Sequence, residues 1–204
     1  TSIQLNGLVN RNLLTNMLNF AKEQGVDKVF TFVQRGRYIE EDIISPLIAQ
    51  HNIETIYGEV KLNANLKLYD TRILPQQINP FTGMNKKLSR DYSYILPSPK
   101  IRYESIASNS KYPRALMSTG MLTQPNYKEH TAHGRKAVEQ HQYGFVFIEI
   151  LNNQIFKAYQ IESTQKGDFQ HLTKKYYSGT ITEARPEALV LGDWHTGEIG
   201  RASC

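Results

Sequence analysis

Residues 143–162, YGFVFIEILNNQIFKAYQIE, form the segment that most restricts the fold. Two runs rich in aromatic and β-branched residues flank Asn152 and Asn153, and asparagine tolerates the positive φ that a tight hairpin turn requires. The pattern predicts a β-hairpin. Upstream, NLLTNMLNFAKEQG places Leu13, Leu14, Met17, Leu18 and Ala21 three and four residues apart and closes on Gly25, which predicts an amphipathic helix. DKVFTFVQ reads as a buried strand, EEDIISPLIAQHN as a second helix weakened at Pro46, and KLNANLKLYDTRI as an exposed or edge strand. GRKAVEQHQ predicts a short helix, KGDFQHLTKKYY a short helix or turn, and EALVLGDWH a strand covered on both faces. The expected fold is α/β, a mixed β-sheet with flanking helices and a long irregular basic middle.

That middle is set apart by proline and by charge. Six of the eight prolines lie between Pro75 and Pro125, and the chain there reads as loop broken by short strands. The net charge of the 204 residues is +5. From Arg72 to Lys136 there are eleven Lys or Arg against three Asp or Glu, leaving thirteen basic against sixteen acidic residues elsewhere. Such concentration is the electrostatic signature of a polyanion partner. Lys86, Lys87, Arg90, Lys100, Arg102, Lys111, Arg114, Arg135 and Lys136 alternate with Phe81, Tyr92, Tyr94, Tyr103, Tyr112 and Tyr127. Cations neutralise phosphates and rings stack on bases, so the segment is expected to bind DNA. A solvated basic face with tyrosines packed beneath it is the bland alternative.

The stretch EALVLGDWHTGEIG, residues 187–200, suggests a metal site. A strand over Ala188–Leu191 delivers Asp193 and His195 beyond its C-terminal end, side by side, with Gly192 and Gly197 leaving room for a metal and a phosphate. The alternative is a strand-end turn capped by Asp193. VLGDWHTG resembles the first metal motif of the calcineurin-like metallophosphoesterases, a superfamily that includes DNA-repair exonucleases. The resemblance implies that Asp193 and His195 bind Mn or another divalent ion in a two-metal centre, with Asp193 bridging to the second ion. More broadly, LPSPKIRYESIA, PRALMSTGMLTQPNY and GRKAVEQHQYGFVFIEI resemble the N-terminal part of large phage proteins that carry such a domain and are implicated in DNA degradation.

The family's remaining ligands, a second Asp, an Asn-His pair and two later His, do not follow within this sequence, and two side chains cannot hold a metal pair. The expected organisation is therefore an N-terminal α/β domain over residues 1–186, containing the basic segment 72–136, then the start of a truncated metallophosphoesterase domain over residues 187–204. By itself the chain should not catalyse. Expected partners are DNA and the remainder of the phosphoesterase domain, with homo-oligomer formation left open. The alternative is a self-sufficient nucleic-acid-binding or inhibitor module whose metal motif is vestigial; a purely structural domain would leave the charge unexplained.

Other constellations are weaker. His130, His133 and His141 lack a thiolate partner, and Glu129 is their only nearby carboxylate. Met117–Gly120, MSTG, has no motif-defined acid for nucleophilic catalysis. Glu59, Lys100 and Glu149 invite comparison with a nitrilase triad, which fails because the only cysteine, Cys204, is the last residue. No apolar run has the length of a membrane span and no signal pattern opens the chain, so a cytoplasmic location is expected, the host cytoplasm if phage-encoded.

Overall fold

A computed structural model describes residues 1–35, 43–108 and 112–185. In chain order the elements are β1 (Ser2–Gln4), α1 (Arg11–Glu23), β2 (Phe30–Gln34), α2 (Pro46–Gln50), β3 (Glu54–Ile56), β4 (Glu59–Lys61) and β5 (Leu66–Tyr69). A 3₁₀ turn, Met84–Lys86, precedes β6 (Ser93–Leu96), β7 (Tyr103–Ile106), β8 (Arg114–Ser118) and α3 (Ala132–Glu139). The chain continues through β9 (Tyr143–Ile150), β10 (Phe156–Ser163), β11 (Phe169–His171), β12 (Lys174–Tyr177) and β13 (Thr180–Glu183). Mixed sheets are present as expected, with strands far outnumbering helices.

Two sheets stack face to face. In the first, β1, β2 and β3 pair in parallel in that order, and Met121 bridges Ser2 on one side and Tyr143 on the other, so the antiparallel pair β9–β10 joins the same sheet. The second has the order β4-β5-β6-β8-β7, parallel through β5, β6 and β8, with antiparallel β4 and β7 at its edges. Side chains of period two distribute each strand between two cores. Phe32 of β2 faces the inter-sheet core and Val33 the opposite side; in β9, Val146 and Ile148 face inward while Phe145 and Phe147 face away. Ile95 and Met117 complete the inter-sheet core from the second sheet, whereas Tyr94, Leu96 and Leu116 point outward.

Both outward faces must be covered, and different material covers each. Over the first sheet lies α1, together with a meander formed by β11, β12 and β13. Phe20 of α1 is the centre of this layer, its ring 5.1–5.9 Å from those of Phe145, Phe147, Phe169, His171 and Tyr176. Over the second sheet lies the chain from Ile73 to Tyr92, anchored by Ile73, Phe81 and Met84 and by the partly buried Leu88. Prolines make that segment irregular, yet it closes a hydrophobic core.

α1 is capped by Asn10, whose Oδ1 accepts from the Leu13 N–H at 3.1 Å, and it closes before Gly25 at φ +64°. Its amide face is engaged as well. Asn12 Nδ2 donates to Asp168 at 2.9 Å, Asn16 Nδ2 to the Gly167 carbonyl at 2.9 Å, and Asn19 Nδ2 to the Gly179 carbonyl at 2.8 Å. Asn16 also accepts from the Gly179 N–H at 2.9 Å and is fully buried. Gly167 comes so close that an added Cβ would sit 2.4 Å from the Leu13 nitrogen. The meander thus docks on α1 through backbone groups.

Several local expectations are corrected. KGDFQHLTKKYY forms β11 and β12. Short polar strands carry little period-two signal, and their pairing comes from the helix beneath them. The β9–β10 connection is a five-residue loop, 151–155, in which Asn152 Oδ1 accepts from the N–H groups of Gln154 and Ile155. Neither asparagine has positive φ. The second helix is confined, within the described residues, to Pro46–Gln50 with Pro46 in its first turn, the one helical place that proline favours. β5 lies inside its sheet, and β4 forms the edge.

Asn16→Ala removes the partner of the Gly179 N–H and the Gly167 carbonyl at a buried position, and is expected to cost about 2–4 kcal/mol of unfolding free energy in a denaturant titration. Asn12→Ala, at the exposed end of the same interface, should cost under about 1 kcal/mol.

Candidate nucleic-acid interface

Eight of the nine cations selected from the sequence lie among the described residues, in three stretches of the chain. Lys86, Lys87 and Arg90 are exposed on the cover of the second sheet, held outward because Met84 and Leu88 turn in. Arg135 and the partly exposed Lys136 lie on α3, whose N-cap Thr131 accepts from the Gly134 N–H at 2.9 Å. Lys100 and Arg102 follow β6, and Arg114 opens β8. Lys100 and Arg114 are not surface groups: they are 5% and 6% exposed. The Lys100 ammonium donates to the Gln77 carbonyl; burial, followed by the Lys136 and Arg102 charges, lowers its pKa. The charges of Lys136 and Arg102 therefore both reach the Lys100 ammonium.

None of these eight cations contacts a carboxylate among the described residues. The ion pairs that form use other lysines: Lys28 with Glu54, Lys67 with Glu59, Lys157 with Glu149 and Lys174 with Glu23. The acidic side chains closest in sequence to the cations are bonded to neutral groups instead. Asp91 accepts from the Ser89 hydroxyl at 2.6 Å, and Glu104 from Asn79 Nδ2 at 3.0 Å.

The six aromatic rings divide sharply. Phe81 and Tyr94, 3% and 2% exposed, are core residues. Tyr92 lies under the Lys67 ammonium, 3.8 Å from its ring centroid, and the Tyr127 hydroxyl is 2.9 Å from His141 Nδ1. Tyr103 is 61% exposed on β7, and Tyr112 is half-buried just before β8.

Those two tyrosines and Arg114 line one cavity of about 310 Å³, together with Asn65, Ser93 and Gln154. Arg114 Nη2 donates to Asn65 Oδ1 at 3.1 Å, Asn65 Nδ2 donates to the Gln154 carbonyl, and the Tyr112 hydroxyl is 3.5 Å from Gln154 Oε1. Nε and Nη1 of Arg114 are buried with no hydrogen-bond partner. Asn65 and Gln154 escape sequence reasoning, because an isolated amide carries no pattern that marks it as a wall of a site. The larger cavity, about 440 Å³, is lined mainly by apolar residues of α1, β2 and β9, and its rim carries Asp27, Lys28 and Glu149. The smaller one is lined in part by a buried cation with unused donors.

Asp193 and His195, the expected metal ligands, lie outside the described residues, as does Lys111. Among the described residues, no group of three His, Cys, Asp or Glu could hold a metal ion. His130 and His133 are exposed, whereas His141 is fixed: Nε2–H donates to the Thr123 carbonyl at 2.9 Å and Nδ1 accepts from Tyr127. Comparison of the chain with known protein families, curated proteins and solved structures returns no match. Among the described residues no helix is long and apolar enough to cross a membrane.

Burial lowers the His141 pKa from 6.5 to about 4. The unfolded chain then takes up the proton first, so stability present above pH 6.5 falls as the pH drops towards 4. Over that window the wild type should lose about 3 kcal/mol more unfolding free energy than His141→Gln, measured by denaturant titration at each pH.

Proposed function

We propose that this chain is the N-terminal region of a metal-dependent, phage-type DNA nuclease or phosphoesterase, and that its described part contributes DNA contacts. The reading is carried by the eight cations without carboxylate partners, while four lysines elsewhere are paired. Exposed Lys86, Lys87, Arg90, Arg102 and Arg135 and the partly exposed Lys136 neutralise phosphates. Tyr103 offers a ring for an unstacked base, which favours single strands or frayed ends over intact duplex. Asp193 and His195 contribute the first two ligands for Mn or another divalent ion, as the motif resemblance implies, and cleavage requires the further ligands of such a centre. A self-sufficient binding module would share this surface and differ only in leaving Asp193 and His195 without a metal.

Fluorescence anisotropy of a labelled oligonucleotide against salt tests the reading. With about five phosphates neutralised, log affinity should fall against log salt with a slope of roughly −3.5 for single strands and −4.5 for duplex. The combined substitution Lys86→Glu, Lys87→Glu and Arg90→Glu should weaken binding at least roughly tenfold and flatten the slope. Binding that ignores both salt and the substitution removes the proposal.

A further inference from the structure

Arg114 presents a physical problem that its surroundings leave unsolved. A guanidinium is a permanent cation with five donors in a planar fork. At 6% exposure it has surrendered most of its hydration, and it receives one acceptor in return, Asn65 Oδ1. Nε and Nη1 have none. Among the described residues no carboxylate meets it, and none lines the cavity beside it. Buried charges in folded proteins are normally paired or fully hydrogen-bonded, and an unpaired one is strongly destabilising. A bare cation at the wall of a cavity calls for an anion in that cavity.

The other walls restrict which anion. Tyr103 and Tyr112 are aromatic, Asn65 and Gln154 carry amides that both donate and accept, and Phe156 and Met117 are apolar. A free inorganic anion would leave the aromatic and apolar walls unused. A ligand that engages the whole cavity needs a flat ring, polar edges on that ring and a phosphate, and about 310 Å³ suits one nucleotide unit rather than a longer segment.

We infer that this cavity is a nucleotide pocket in which Arg114 takes the phosphate and Tyr103 and Tyr112 take the base. The inference rests on the nucleic-acid reading of the surface and deepens it: the exposed cations hold the strand, and the pocket takes one nucleotide of it, at an end or where the strand is unstacked. Arg114 matters in two opposite ways. It costs stability in the empty protein and returns it when the phosphate arrives.

The test uses thymidine monophosphate, thymidine and inorganic phosphate as probes, read by thermal unfolding and by calorimetric titration. Thymidine monophosphate at about ten times its Kd should raise the wild-type Tm by roughly 3 °C. Thymidine should bind at least roughly tenfold more weakly, because it lacks the group that pairs with the guanidinium. Arg114→Met keeps the volume and removes the unpaired charge: without ligand it should melt at or above the wild-type temperature, and thymidine monophosphate should no longer stabilise it. Tyr103→Ala should weaken thymidine monophosphate while leaving inorganic phosphate unchanged. The inference is overturned if the nucleotide fails to stabilise the wild type, if it binds Arg114→Met equally well, or if phosphate alone binds as tightly as the nucleotide. Charge reversal at Lys86, Lys87 and Arg90 should leave thymidine monophosphate binding intact. Salt-sensitive DNA binding without nucleotide binding therefore sinks the pocket alone, and the reverse result sinks the surface reading alone.

Discussion

Strands that are apolar on both faces govern this structure. β2, β6, β8 and β9 each divide their side chains between two cores, so neither sheet can leave a face in water. The inter-sheet core satisfies one face of each sheet, and the other two need covers. α1 and the meander cover the first. The proline-broken chain over the second can bury Phe81, Met84 and Leu88 only by turning Lys86, Lys87 and Arg90 to solvent. The basic surface is thus a consequence of how the second sheet is closed.

Polar chemistry divides between attachment and provision. The asparagines of α1 consume the backbone groups of the meander, and Tyr127, His141 and Thr123 close a hydrogen-bonded chain in which burial keeps the imidazole neutral near pH 7. These groups are satisfied, and they hold layers together. Arg114 differs because two of its nitrogens have no acceptor. Lys100 is intermediate: one carbonyl receives its ammonium, and two neighbouring cations oppose its charge. Groups left in this condition raise the energy of the empty protein and favour any anion that reaches them.

Periodicity made α1 and the β9–β10 pair legible, since each is long enough to display its repeat, and β2 was legible as an apolar run outside the proline-rich segment. β6 and β8, the centre of the second sheet, are runs of four and five residues inside the proline-rich segment, where such runs pass for interruptions of a loop. β11 and β12 were hidden for the opposite reason: their lysines and tyrosines look like surface turn, and it is the packing of Phe169 and Tyr176 on Phe20, with the α1 asparagines holding Gly167 and Gly179, that seats them. The charge of the middle segment was legible as a count. Which cations face inward was not, because LPSPK and PRALM do not reveal that Lys100 and Arg114 lie beneath the surface. The same limit applies to the rings, where Tyr94 and Tyr103 read alike and differ from 2% to 61% in exposure.

Photo-crosslinking of the chain to a bromouracil-substituted single strand, with the crosslinked peptides mapped by mass spectrometry, tests the central claim most directly. Crosslinks at Tyr103 and Tyr112 and in the peptides carrying Lys86, Lys87, Arg90 and Arg102 are expected, and they should disappear as salt is raised. Crosslinks concentrated on the meander from Phe169 to Glu183, or indifferent to salt, would contradict the assignment of these residues to nucleic acid.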